Sequence, residues 1–260
     1  PIAMIAAGGV VLALLGVGGW LATRPSTPEG QVAEQAADPV PEGQSDRGLP
    51  APDTATREGF LAAHGAEVAC SYATRVAAGG NAGKIEVMAD KAGALPGVAA
   101  AYAGAFGVTP TVLERQIAAP QCAALDLLRG LQGREAEAPL VTLDTDSLNS
   151  GGSVIGRESN VRGLTLWLFL VSASGAVFDL TGRLEPQADG SFLLAVGMQS
   201  ASGQAEPQVI MALAAPEPLV SAATAAQGAP AASLLPAVLA EIASRKLKVG
   251  AQAAFLTLVP

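Results

Sequence analysis

The chain has 260 residues, of which 50% are hydrophobic, 15% charged and 4% aromatic, with a formal net charge of −8 and a pI near 4.7. That length fits one or two domains of roughly 100 to 200 residues each. The acidic balance excludes phosphate-backbone binding as the main activity, which needs clustered lysine and arginine, so no nucleic acid partner is expected.

Residues 2–22, "IAMIAAGGVVLALLGVGGWLA", carry no charge, and about 20 apolar residues suffice to cross the hydrocarbon core of a bilayer. The expectation is a transmembrane helix over residues 1–23, with Trp20 at the interface, Arg24 just beyond it and the membrane as the first partner. A signal peptide is the rival reading, but the basic front is missing and Trp20 stands where a small residue is needed. Gly9 and Ala13 form a small-xxx-small pair of the kind that lets helices approach closely, so a homodimer is one expected assembly. The apolar run begins at once after Pro1, as expected for a fragment of a longer protein.

Residues 24–54 are rich in Pro, Glu, Gln, Gly and Asp and poor in large apolar residues. Such a stretch buries too little surface to offset its ordering entropy, which makes it a disordered acidic linker. From about residue 55 the composition becomes that of a folded domain. "TREGFLAAHG" reads as a short helix, "EVACSYATRVA" and "GKIEVMAD" as strands about a glycine-rich turn, "GALPGVAAAYAGAF" as a helix, "TPTVLERQIA" as a strand, and "PQCAALDLLRGLQ" as a helix with Pro120 at its start. This order implies a small α+β domain over 55–135 whose helices cover one sheet face.

Beyond the charged spacer "GREAEAP" the signals turn to strands: "LVTLDTD", "SVIGRES", "LTLWLFLVSASGAVFDLTG", "GSFLLAVGM" and "PQVIMALAAP". Short strands between Gly, Ser and Asn turns predict an antiparallel β-sandwich-like domain over 136–260. "LTLWLFLV" is apolar on both faces and belongs at its centre, with Ser174 and Gly175 turning the chain afterwards. "ASLLPAVLAEIASRK" reads as a helix capped by Ser233, and "AAFLTLV" as a closing strand. The fold class is therefore α+β: a transmembrane helix, a linker, a small α+β domain and a sandwich-like domain with a C-terminal helix.

The chemistry-bearing residues are few. The chain has one histidine, His64, so a Ser-His-Asp or Cys-His site would have to use it, and a zinc site would lack ligands. Its place beside Gly65 at a helix end suits a surface residue. Asp144, Asp146 and Asn149 cluster before Gly151, yet their spacing departs from a calcium loop and the closing bidentate glutamate is absent. "GGSVIG" at 151–156 lacks the Lys-Ser/Thr pair of a phosphate loop and reads as turn glycines. Glu114 and Asp126 have no spacing that marks an acid/base pair. The expectation is no catalytic residue, no metal site and no cofactor.

Cys70 and Cys122 are the only cysteines. Cys122 follows Pro120 and Gln121 in the first turn of a helix, where partial positive charge lowers a thiol pKa. A reactive thiol, two buried thiols and a disulfide are all open readings. An oxidising compartment favours the disulfide, which would tie a strand to a helix.

Taken together, "CSYATRV", "RQIAAPQCAALDLLR", "LVTLDTDSLNSGGSVIGRES", "LTLWLFLVSASGAVFDLTG" and "EPQVIMALAAPEPL" resemble the C-terminal extracytoplasmic region of membrane-anchored serine/threonine protein kinases of alphaproteobacteria. The later part is similar to a β-sandwich domain of unknown function that also follows caspase-like peptidases. The resemblance covers most of residues 60–260. It implies a cytoplasmic kinase domain before the membrane helix, residues 24–260 in the periplasm beyond an inner-membrane anchor, and a paired Cys70 and Cys122. No kinase residue has a counterpart here. The functional expectation is a non-catalytic sensory or interaction module that binds an envelope ligand or protein; the alternative is a structural envelope protein without a signalling role.

Overall fold

Helix α1 (Arg57–Ala66) begins where Thr56 leaves extended backbone and its hydroxyl accepts the Gly59 amide at 3.0 Å, supplying a partner for an amide that no helical carbonyl reaches. The computed structural model describes residues 52–132, 137–161, 163–200 and 202–260, all within one compact unit. The transmembrane helix expected over 1–23, and the linker up to residue 51, lie outside the described residues. Among the described residues no helix is long and apolar enough to cross a membrane.

Strands β1 (Ser71–Arg75) and β2 (Ile85–Ala89) form an antiparallel pair, and β3 (Val112–Gln116) adds to β2 in parallel, reached through helix α2 (Val98–Phe106). A parallel neighbour requires such a crossover. Alternation sends Ala73, Ile85 and Val87 to one face, where they pack with Leu61, Val98 and Tyr102 of the two helices. The other face carries Tyr72, Thr74, Glu86, Met88 and Arg115. Helices α1 and α2 do cover a single face as expected, but the second face is buried too: Met88 and Tyr72 pack in the central core with helix α3 (Cys122–Leu131).

The remaining strands build two sheets. They are β4 (Leu140–Leu143), β5 (Ser147–Asn149), β6 (Ser153–Ser159), β7 (Thr165–Val171), β8 (Ala176–Asp179), β9 (Leu184–Pro186), β10 (Phe192–Gly197), β11 (Glu206–Ala215), β12 (Ala229–Pro230) and β13 (Gly250–Val259). One sheet runs β4-β6-β10-β9; the other runs β12-β8-β7-β11-β13-β5. Val141, Val154 and Leu194 of the first meet Leu168, Ile210 and Leu256 of the second in a shared interior. The outer face of the larger sheet, with Phe169, Met211 and Leu213, packs on α3 and on α5 (Ala231–Ser244) through Leu125, Leu128, Leu235 and Val238. The two apolar faces of "LTLWLFLV" therefore serve two different layers.

Gly175 turns the β7–β8 hairpin at φ +79 as expected, and its lack of a side chain matters, because a Cβ there would stand 2.8 Å from Pro120. Ser233 differs from expectation. The helix begins at Ala231 with Pro230 in the capping position, and the Ser233 hydroxyl donates to the Pro230 carbonyl at 3.1 Å from inside the first turn. Proline fits here because it already holds the backbone angle that helix entry needs.

Candidate functional site

The start of α3 is a junction. Cys122 forms a disulfide with Cys70, 52 residues away in sequence, tying the helix to the strand that follows Cys70. Its neighbour Gln121 is fully buried and reaches the other way. The Gln121 amide nitrogen donates to the carbonyls of Val171 at 2.8 Å and Pro207 at 3.0 Å, while its Oε1 accepts the Ala118 amide at 2.9 Å. One side chain thus joins α3 to the small three-stranded sheet and the next joins it to β7 and β11. The reactive-thiol reading of Cys122 falls away, since its sulfur is already bonded. The Asp90 carboxylate comes within 4.8 Å of both sulfurs, but bonded sulfurs are not thiolates and cannot act as metal ligands of that kind.

The pieces that this junction holds enclose a cleft of about 620 Å³, within the usual range for ligand pockets of about 300–1,000 Å³. One wall is the polar face of the small sheet, another is β4 with the turn after it, and the floor runs along β13 from Ala251 to Phe255. Arg115 stands at the centre. Its Nε donates to Glu86 at 3.0 Å, its terminal nitrogen donates to Asp146 at 2.8 Å, and its guanidinium lies 5.3 Å from the centre of the Phe255 ring. The planar fork of arginine suits this double recognition and the stacking together. Burial pushes the Glu86 carboxyl above its usual value, and the bond from Arg115 works against that rise.

The ionisable lining comprises Glu58, Glu86, Asp144 and Asp146 against Arg75 and Arg115, a formal excess of two negative charges. Arg115 is already engaged by two of those acids. Outside those ion pairs the lining keeps Glu58 and Asp144 against Arg75, one negative charge in excess.

The chain matches no known protein-family model and no curated protein sequence.

The sequence-level candidates disperse over the structure. His64 caps nothing catalytic: its Nδ1 lies 3.2 Å from the Phe60 carbonyl and its ring stacks on Phe60 at 4.2 Å. Asp146 turns to Arg115, whereas the Asp144 amide donates to Ile155 and Asn149 lies in β5, so the three do not converge on one point. Glu114 accepts the Gly93 amide at 3.2 Å, while Asp126 pairs with Arg129 within α3. Gly151 and Gly152 exchange backbone bonds with Met198, a turn as expected. The residues that matter in the cleft, Glu86 and Arg115, were not singled out from sequence. A faint signal existed for Glu86 alone, a charge between Ile85 and Val87, whereas Arg115 stands between Glu114 and Gln116.

Proposed function

We propose that residues 55–260 form a non-catalytic sensory or interaction module of a single-pass inner-membrane protein. In this reading residues 1–23 are the anchor, 24–54 a tether, and 24–260 face the periplasm as the sandwich-bearing ectodomain of a serine/threonine kinase. The observation that carries it is the Cys70–Cys122 disulfide at the junction that shapes the cleft. Such bonds belong to oxidising compartments, and here the bond ties α3 to the small sheet, which forms one wall of a pocket where Arg115 is paired with two carboxylates. Those charges suit holding a ligand better than moving protons, because Arg115 does not release its proton and Glu86 is tied to it.

Signal transfer would follow from unequal binding to two states, such as monomer and dimer of the anchor. Deleting residues 55–260 from the intact protein, then measuring kinase output with and without envelope stress, tests this. Altered output is expected. Unchanged output would overturn the signalling role and leave the structural envelope protein as the better reading.

A further inference from the structure

Among the described residues, strand β13 presents an unpaired edge to the cleft. Its ladder with β11 sets Thr257 opposite Pro207, and proline has no amide to donate. Thr257 instead turns its amide outward, to the Asp146 carbonyl at 2.9 Å. Alternation along an antiparallel strand then points the amides and carbonyls of Phe255, Ala253 and Ala251 outward as well. Strand β5 reaches only Thr257–Val259 on that side. Among the described residues no strand pairs with the outward groups of Ala251, Ala253 and Phe255.

The facing wall is also an open edge. Strand β4 is the outermost strand of its sheet, and the Val141 amide points away from β6 to reach the Gln252 Oε1 at 2.7 Å. By the same alternation Leu143 points outward. Five consecutive residues of β13, Ala251 to Phe255, line the cleft, as expected when a strand is approached along its edge and not from one face. Soluble proteins usually protect such edges with proline, lysine, a bulge or a covering element. "AQAAF" contains no charge and no proline.

We propose that this cleft takes an extended peptide segment of a partner protein, bearing basic side chains, as an added strand along β13 between Ala251 and Phe255. The proposal rests on the reading of this region as an interaction module and names the partner's chemistry. Main-chain hydrogen bonds to the open edge supply affinity, as in other strand-addition complexes. The lining's formal excess of two negative charges selects the charge, with Glu58 and Asp144 standing against Arg75 outside the Arg115 ion pairs and the whole chain carrying −8.

The test is fluorescence anisotropy on the full chain in mild detergent, with a capped, labelled peptide of alternating lysine and valine as probe. The expected result is saturable binding that weakens about tenfold or more when alternate backbone nitrogens of the peptide are methylated, since methylation removes main-chain hydrogen bonds to the strand edge. Replacing its lysines by glutamates should weaken it as much. Ala253→Pro removes an outward amide without touching the β11 ladder and should reduce binding similarly; if that variant misfolds, the methylated peptide still decides. Equal affinity of methylated and unmethylated peptides, or no binding at millimolar peptide, would overturn the proposal. Binding seen only after removal of residues 24–51, or a dimer that the peptide dissociates, would assign the edge to this chain's own tether or to a second copy and overturn it likewise. Neither failure alters the outcome of the deletion experiment on kinase output, so the two readings fail separately.

Discussion

The junction around the cleft and the interior between the two larger sheets are held by different forces. Directional bonds dominate the junction: the Cys70–Cys122 disulfide, the hydrogen bonds of Gln121, and Arg115 between two carboxylates. Apolar packing dominates the interior, where it leaves one acid unserved. Glu158 is 1% exposed, neither carboxylate oxygen has a partner among the described residues, and burial pushes its pKa up to about 8. Glu86 is its counterpart, a buried glutamate on the central strand of its own sheet, with Arg115 beside it to oppose the same rise. A carboxyl in a core strand is accommodated by pairing in one place and by holding its proton in the other.

Four experiments would break or sharpen that contrast. The largest effect is expected from Cys122→Ala, which opens a loop of 52 residues and should cost about 4 kcal/mol in the chain-entropy account of disulfides. Urea unfolding measures it, and an unchanged midpoint would mean that the junction does not depend on its covalent bond.

Glu158→Gln should act in the opposite direction. The folded protein keeps the Glu158 proton up to a pKa of about 8, whereas the free side chain releases it near 4.5. Between those values the unfolded state binds fewer protons than the folded state, so stability falls as pH rises from 4.5 towards 8 and levels off above. The substitution should raise stability at pH 7 by roughly 3 kcal/mol and flatten that slope, with little change near pH 4. Thermal melts across this range check it; a slope that survives the substitution would mean that another group titrates.

Arg115→Ala leaves Glu86 buried without its counter-charge and should cost about 2 kcal/mol, below the fully buried case because the pair is partly solvated. Adding Glu86→Gln should recover part of the loss. A double-mutant cycle reads the coupling, and strict additivity would show that the two side chains do not support each other.

The smallest effect belongs to the other directional cluster. Burial alone would raise the Glu241 carboxyl, but it accepts the Ser221 and Val220 amides, both at 2.8 Å, and Arg245 pairs with it, so its pKa is held down to about 2. Its contribution is present above the ordinary carboxylate value and fades as pH falls towards 2. Glu241→Gln should cost about 1 kcal/mol at pH 7, seen as a lower Tm. Equal Tm values at pH 7 would remove this anchor between α5 and helix α4 (Val220–Ala223).

Much of the fold was legible. Strands β6 and β7 fall within the stretches read as strands, and β11 overlaps its stretch apart from Glu206, because long apolar or alternating runs bounded by turn residues leave little choice of structure. Strands β5, β9 and β12 and helix α4 were missed; at two to four residues they carry no period to detect and exist because neighbours pair with them. Cys122 was legible as a candidate for three roles, and its neighbour Gln121 as none. The cleft was not legible, since Glu86, Arg115, Asp146 and Phe255 come from four separate segments and only packing brings them together.

The amino-acid sequence alone determined the acidic character, the apolar first segment, the shift to a folded composition near residue 55 and the α+β element order, because these follow from local propensity and periodicity. Tertiary structure decided the rest. It chose the disulfide among three readings of Cys122, gave the second face of the small sheet a partner, set an arginine beside one buried glutamate and no hydrogen-bond partner among the described residues beside another, and left part of the edge of β13 without a strand partner among the described residues. Each of those outcomes depends on which distant residues become neighbours, and contact between distant segments is what a local pattern cannot encode.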